Sequence, residues 1–263
     1  MKTPILVSLV IAAALPAASA AIIYQDDFSG TAASALQGSI PDTRLAGEGG
    51  SASATWTAQA SILFNGSNGV SLASEANASR AAYLPFTPQV NFLYDYQISM
   101  AFAEVNSASR SMQMGFFGSA TPGVTTALTS SNTQGPVIFF RNAGTYVARG
   151  AGGTDITGFN GSVPGAAVTA IHTFRITLDT SQAQWVMRTY FDGVEFGGGH
   201  TFSTNPTIGA VGFSVNASNN LNAAGTFSNF SLSATPIPEP SQLAFLSLCS
   251  VLPVMRRRRR SHR

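Results

Sequence analysis

The two-residue alternation of apolar side chains constrains this chain more than any other feature. In Tyr94–Phe102 the residues Tyr94, Tyr96, Ile98, Met100 and Phe102 fall on one face, and in His172–Leu178 so do His172, Phe174, Ile176 and Leu178. A period of two buries one side of a strand and leaves the other for polar groups. Between Ala21 and Thr235 the 3.6-residue period of a long amphipathic helix is missing. Short runs rich in Val, Ile, Thr and Phe are instead punctuated by clusters of Gly, Asn, Ser and Pro. The pattern predicts an all-β, antiparallel fold whose strands are half-buried.

Strands are expected at Ile22–Phe28, Gly69–Leu72, Ala81–Leu84, Tyr94–Val105, Ser111–Gly118, Pro136–Arg141 and Gly144–Arg149. Four more are expected at Ala167–Leu178, Gln184–Phe191, Ile208–Asn216 and Gly225–Ala234. Asn142-Ala143-Gly144 reads as a hairpin turn, and the Gly/Ala/Ser-rich stretch from Thr31 to Thr55 as a surface loop.

Both ends of the chain read as targeting segments. Residues 1–20 carry an early Lys2, an apolar core from Ile5 to Leu15, and Ala18-Ser19-Ala20 as a small-residue cleavage site, which is the layout of a secretory signal peptide. Residues 236–263 run through Pro238-Glu239-Pro240, an apolar stretch Leu243–Met255, and the arginines Arg256, Arg257, Arg258, Arg259 and Arg260. As a short apolar helix, the thirteen residues of Leu243–Met255 reach about 20 Å against a hydrocarbon core of about 30 Å, so a stable span is strained. The arginines belong on the cytoplasmic side. This order resembles the PEP-CTERM sorting signal of exported bacterial proteins. The resemblance implies transient inner-membrane attachment, an exosortase-type processing enzyme as partner, and delivery to the cell envelope or extracellular matrix. The plainer alternative is a C-terminal membrane anchor on a periplasmic protein.

Setting the ends aside changes the charge argument. The body, residues 21–235, holds seven Arg, no Lys and eleven Asp or Glu, a net of −4. The basic pI near 8.9 therefore belongs to the ends, and nucleic acid is excluded as a partner. Cys249, in the apolar tail, is the one cysteine, so no disulfide braces the body.

The second half of the body carries an ordered set of motifs. His172–Asp179 leads through a turn to Gln184–Phe191 and Asp192-Gly193, followed by Ile208–Phe213 and a closing Gly225–Leu232; the body opens on Asp26-Asp27-Phe28. This order resembles a concanavalin A-like or laminin-G-like jelly-roll domain. The resemblance implies a two-sheet antiparallel sandwich whose last strand pairs beside the first.

Candidate chemistry is sparse. A glycoside hydrolase needs two carboxylates flanking one bond, and no Glu-x-Asp-x-Glu is present. Between Asp179 and the tail, Asp192 and Glu195 form the only nearby pair, read as a turn and an edge, while Glu75 and Glu104 stand alone. No Gly-x-Ser-x-Gly elbow occurs, and neither His172 nor His200 has metal-ligand spacing. His172 shares parity with Phe174 and reads as a packed histidine. His200 follows three glycines, which reads as a mobile loop able to touch a ligand. Asp26 and Asp27 are the candidates for calcium, through hard oxygen ligands. Trp56, after the polar loop, is the candidate sugar platform, whereas Trp185 shares parity with Met187 and Phe191 and reads as core. Phe116-Phe117 and Phe139-Phe140 break alternation, so one ring of each pair rests under a loop or forms a contact surface.

The sequence reading is therefore an exported, non-catalytic β-sandwich that binds polysaccharide or acts as an adhesive or structural component of envelope or matrix. The competing reading is a glycan-active hydrolase or lyase on the same fold.

Overall fold

A computed structural model describes residues 19–72, 79–103, 110–119, 121–125, 128, 135–150, 154–163, 165–217 and 225–238. The signal segment up to residue 18, Glu104, Glu75, and the tail from Glu239 onward, including its expected apolar helix, lie outside them.

Among the described residues sixteen strands follow in chain order: β1 (Ala21–Asp26), β2 (Thr43–Arg44), β3 (Thr57–Ala58), β4 (Ile62–Phe64), β5 (Val70–Leu72) and β6 (Arg80–Pro85). Next come β7 (Phe92–Phe102), β8 (Arg110–Phe117), β9 (Val137–Arg141), β10 (Thr145–Arg149) and β11 (Asp155–Ser162). The last five are β12 (His172–Asp179), β13 (Val186–Phe191), β14 (Val194–Thr201), β15 (Ala210–Ala217) and β16 (Gly225–Pro236). They build two antiparallel sheets. One has nine strands in the order β14-β13-β12-β7-β16-β1-β2, with β5 also on β16 and β4 on β5; the other has seven, β11-β10-β9-β8-β15-β6-β3.

The alternation reaches its expected outcome. Tyr94, Tyr96, Ile98 and Met100 are fully buried, as are Phe174, Ile176 and Leu178 on β12, which pairs with β7 in register His172↔Met100 to Asp179↔Leu93. The inner faces of both sheets pool these side chains into one continuous core. Two buried tyrosines tie sheet to sheet: Tyr24 Oη donates to Pro85 O at 2.7 Å and Tyr96 Oη to Gly212 O at 2.8 Å. Burial raises both phenols above their ordinary pKa, so they remain neutral donors. The last strand does pair beside the first, with Ala21↔Ala234 through Asp26↔Phe230. The fold is the two-sheet jelly-roll sandwich that the motif order implies.

Two expectations need correction, and one strand joins the expected set. Residues 167–171 do not open β12; Gly165–Thr169 is a 3-10 turn and Ala170 N donates back to Ala167 O at 2.9 Å. The glycines before His200 lie within β14, paired with β13 through Val186↔Thr201 and Phe191↔Val194. Gly197 adopts φ 83°, and a Cβ there would stand 2.3 Å from the Phe159 ring, so glycine lets the two edge strands approach. Finally, the 155–162 stretch, with its two glycines, forms β11.

The outward rings of the two Phe-Phe pairs rest under a loop. Phe117 and Phe139 form a second buried cluster with Tyr83, Val137 and Leu128, and Val124 packs on it. Ala81 N donates to Val124 O at 2.8 Å and Leu128 N to Ser214 Oγ at 3.0 Å, which fastens the loop to the seven-stranded sheet. Among the described residues, no helix is long and apolar enough to cross a membrane.

Candidate functional site

The edge strands β11 and β14 belong to different sheets, and where they approach, the sandwich has an open flank. A groove of about 640 Å³ opens there, lined by Gly150, Thr154, Asp155, Ile156, Thr157, His200, Thr201, Phe202, Ser203 and Thr204. Its volume lies within the range of small-ligand sites, about 300–1,000 Å³. His200 stands opposite inward-facing Met187 in register, so its ring turns toward the space between the sheets. There the ring meets Phe202 and Phe159 edge-on, at centroid distances of 5.0 and 6.0 Å. It makes no hydrogen bond to the described residues, and burial holds its pKa below the ordinary 6.5. A neutral imidazole offers one acceptor and one donor nitrogen to a ligand. Nε2 faces Gly150, whose missing Cβ would lie 3.4 Å away.

Asp155 is the one carboxylate on the groove's described lining, and Arg149 Nε is hydrogen-bonded to it in an exposed ion pair. The Arg149 guanidinium also lies 4.4 Å above the Phe139 ring, which restrains it. The lining thus combines Ser and Thr residues, one neutral imidazole and the apolar Ile156 and Phe202. That mixture suits a polyhydroxylated ligand with apolar ring faces.

The other sequence candidates are dispersed. Trp56 is fully buried among Phe28, Phe213 and Phe230, with centroids 5.7, 5.5 and 5.0 Å away, so it is core and not a platform. The parity rule had nothing to work on at Trp56, because β3, which follows it, has two residues. Trp185 is half-buried and packs against the main core, in line with its parity. Trp56 Nε1 donates to Asp26 Oδ2 at 2.6 Å, and Phe28 N donates to Asp26 Oδ1 at 2.7 Å. Burial nonetheless pushes the Asp26 pKa up to about 6, with lesser upward contributions from Asp42 and Asp27 against the lowering by both donors.

Asp42 joins the Asp26-Asp27 pair across the β1–β2 corner, and the three offer carboxylate oxygens within 4.8 Å of one another. A hard cation needs several such oxygens free. Here Asp26 uses both of its own on Trp56 and Phe28, Asp27 Oδ1 accepts Ser29 N at 2.9 Å, and Asp42 Oδ2 accepts Asp27 N at 2.8 Å. One free oxygen each on Asp27 and Asp42 remains for calcium.

Asp192 (φ 47°) and Gly193 (φ 80°), both left-handed, are the two turn residues between Phe191 and Val194, and Glu195 follows on β14. Asp192 Oδ1 accepts Thr173 N at 2.8 Å, while Oδ2 lies 2.8 Å from His172 Nδ1. His172 Nε2 lies 2.9 Å from Ala167 O, and the ring packs tilted against Phe191 at 4.8 Å, which makes it a packed structural histidine. Glu195 pairs with Arg188 at 2.8 Å. Pro238 is exposed two residues beyond the end of β16, and Ile237 N donates to Asn91 O at 2.7 Å just before it.

No protein-family model matches the chain, and no curated protein matches it. Solved structures do match in shape. An endo-1,3-beta-glucanase from Streptomyces sioyaensis superposes with a TM-score of 0.56 at 12% identity, covering 86% of this chain and 100% of that one. The Emp47p carbohydrate recognition domain gives 0.49 at 13% identity over 82% and 98%. The VIP36 exoplasmic/lumenal domain, in its Ca2+/Man-bound form, gives 0.46 at 10% identity over 70% and 84%. At these identities the glucanase likeness shows the fold and nothing beyond it.

Proposed function

We propose that this is an exported protein that holds glycan without cleaving it, installed in the cell envelope or extracellular matrix. The observation that carries the reading is the groove between β11 and β14, whose lining combines one unpartnered neutral imidazole, five Ser and Thr residues and the apolar Ile156 and Phe202. Glycoside hydrolysis places a second carboxylate about 5–9.5 Å from the first, whereas the groove's described lining carries Asp155 alone, tied to Arg149. Elsewhere in the body Asp95, Asp192 and Glu195 are likewise engaged by Arg175, Thr173 with His172, and Arg188. The endo-1,3-beta-glucanase that shares this fold makes a saccharide the natural ligand class to test.

Delivery follows from the ends. Removal of the leader after Ala20 would free a chain that begins where β1 begins, and the Pro238-Glu239-Pro240 motif starts just past the last hydrogen bond of the sandwich. An exosortase-type enzyme would meet that motif flush against a folded body, with the arginine cluster Arg256–Arg260 holding the tail on the cytoplasmic side of the membrane.

The test is binding of the exported protein to a panel of neutral and acidic polysaccharides, with released reducing sugar measured in the same samples. Saturable binding without release, weakened by both His200→Ala and Gly150→Val, is expected. Sugar release would transfer the assignment to the enzyme class. Replacing Pro238 and Glu239 with Ala is expected to leave an uncleaved, membrane-retained form; unchanged processing would make the tail an ordinary anchor.

A further inference from the structure

The outer faces of the two sheets differ. The seven-stranded sheet is covered over Phe117 and Phe139 by its own loop, while the nine-stranded sheet leaves a polar face open. On that face Gln25, Ser231 and Gln97 stand side by side, since Gln25 pairs with Ser231 and Ser231 with Gln97. Strand β16 carries a register shift between Ser228 and Ser231, and within it Asn229 adopts φ 52°, a left-handed conformation uncommon outside glycine. Bulges of this kind re-aim side chains. Beside this one a dent of about 200 Å³ is lined by Gln25, Gln97, Asn229 and Ser231. Among the described residues, the side-chain amides of Gln25, Gln97 and Asn229 have no hydrogen-bond partner, although Gln97 is half-buried in the middle of a sheet.

The row continues in register from Gln97 to Arg175 and from Arg175 to Tyr190, where the guanidinium lies 4.4 Å above the ring. From β1 to β13 it crosses four strand gaps, about 19 Å at about 4.8 Å per strand. Charges along it cancel: Arg175 pairs with Asp95 at 3.0 Å and Arg188 with Glu195 at 2.8 Å. Asp26 and Asp27 also line the dent and bring their carboxyl groups to it. An anionic chain would meet no free cation here and a carboxylate at the end. An amide both donates and accepts, which matches the paired donor and acceptor character of sugar hydroxyls.

We infer that this dent and the row leading from it form a second saccharide subsite, separate from the groove, which takes a neutral glycan chain laid across β1, β16, β7, β12 and β13. The inference rests on the reading that the body binds glycan, but not on the groove.

Calorimetric titration with a neutral β-1,3-linked glucose hexasaccharide, and with a uronic acid hexasaccharide, separates the two. Four forms are compared: wild type, Gly150→Val, the double variant Gln97→Ala with Asn229→Gly, and all three changes together. Gly150→Val fills the groove, and Asn229→Gly removes an amide while keeping the left-handed backbone accessible, so thermal midpoints near wild type serve as the folding control. The expected result is that Gly150→Val still binds the neutral chain and that adding the double variant weakens this binding about ten-fold or more, as the loss of two hydrogen bonds implies. Shifts of the Gln25, Gln97 and Asn229 side-chain amide resonances should saturate with the same affinity. Binding abolished by Gly150→Val alone would overturn this subsite and leave the groove standing. Preferential binding of the uronic acid chain would overturn the neutral class, and no saccharide binding by any form would overturn both readings.

Discussion

Replacing Trp56 with Phe removes one indole N–H from Asp26 and a ring's worth of volume from the most aromatic part of the core. Trp56 Nε1 lies 2.6 Å from Asp26 Oδ2, and both residues are almost wholly buried. A hydrogen bond to a charged group contributes about 1.5–3 kcal/mol and one to a neutral group about 1. The lost volume adds roughly 1–2 kcal/mol at any pH. Asp26 titrates at about 6 in the folded protein, above its ordinary 3.8. A carboxyl raised in this way contributes stability that is fully present below the unfolded value and is lost as pH rises through the folded one. Without the indole the folded pKa rises further, so the variant suffers more where Asp26 is ionised. We expect a loss of about 3–4 kcal/mol at pH 8 and about 2–3 at pH 5. Urea unfolding followed by the fluorescence of Trp185, the remaining tryptophan, measures both. The same loss at the two pH values would refute the coupling of Trp56 to an ionising Asp26. Glycan affinity of this variant should match wild type, whereas a large fall would restore Trp56 as a sugar contact.

Four further outcomes follow from the geometry. Acidification should weaken saccharide binding in the groove, because protonation removes the acceptor nitrogen of His200, and burial moves that loss below the ordinary imidazole range; an affinity that stays constant from pH 7.5 down to pH 4.5 would remove His200 from the site. Gly197→Ala should destabilise by about 2–4 kcal/mol in urea, from left-handed strain at φ 83° and collision with Phe159, and a loss under about 0.5 would show that the edges do not need glycine. Arg188→Ala, which breaks an exposed ion pair with Glu195, should change stability by no more than about 1 kcal/mol. Millimolar calcium should shift the thermal midpoint by less than about 2 °C, since the Asp26, Asp27 and Asp42 oxygens are mostly used internally and weak occupancy adds little stability; a larger rise would assign Asp27 and Asp42 to the metal.

How much was legible depended on whether a signal was local. Alternation over Tyr94–Phe102 and His172–Leu178 located two central strands, β7 and β12, because buried antiparallel strands write their register into parity. Edge strands carry no such record. β14 holds Gly197 where it approaches Phe159 of β11, and β11 carries two glycines of its own; glycine in a strand reads as a loop. The groove was therefore hidden: its halves lie about fifty residues apart and meet only because two sheets share a flank. His200 was singled out for the mobility of its surroundings, and it matters instead as an inward-turned side chain on a paired strand. Trp56 was misplaced for want of a strand long enough to show parity. Asp42, fifteen residues from Asp27, joined the acidic pair through the β1–β2 corner, a contact no spacing rule encodes.

The most direct test of the account is a titration of the His200 imidazole resonances with neutral polysaccharide fragments, with reducing ends assayed in the same tube. The account predicts a saturable shift of the His200 signals and no new reducing ends. Unmoved His200 signals at saturating saccharide, or the appearance of reducing ends, would contradict it.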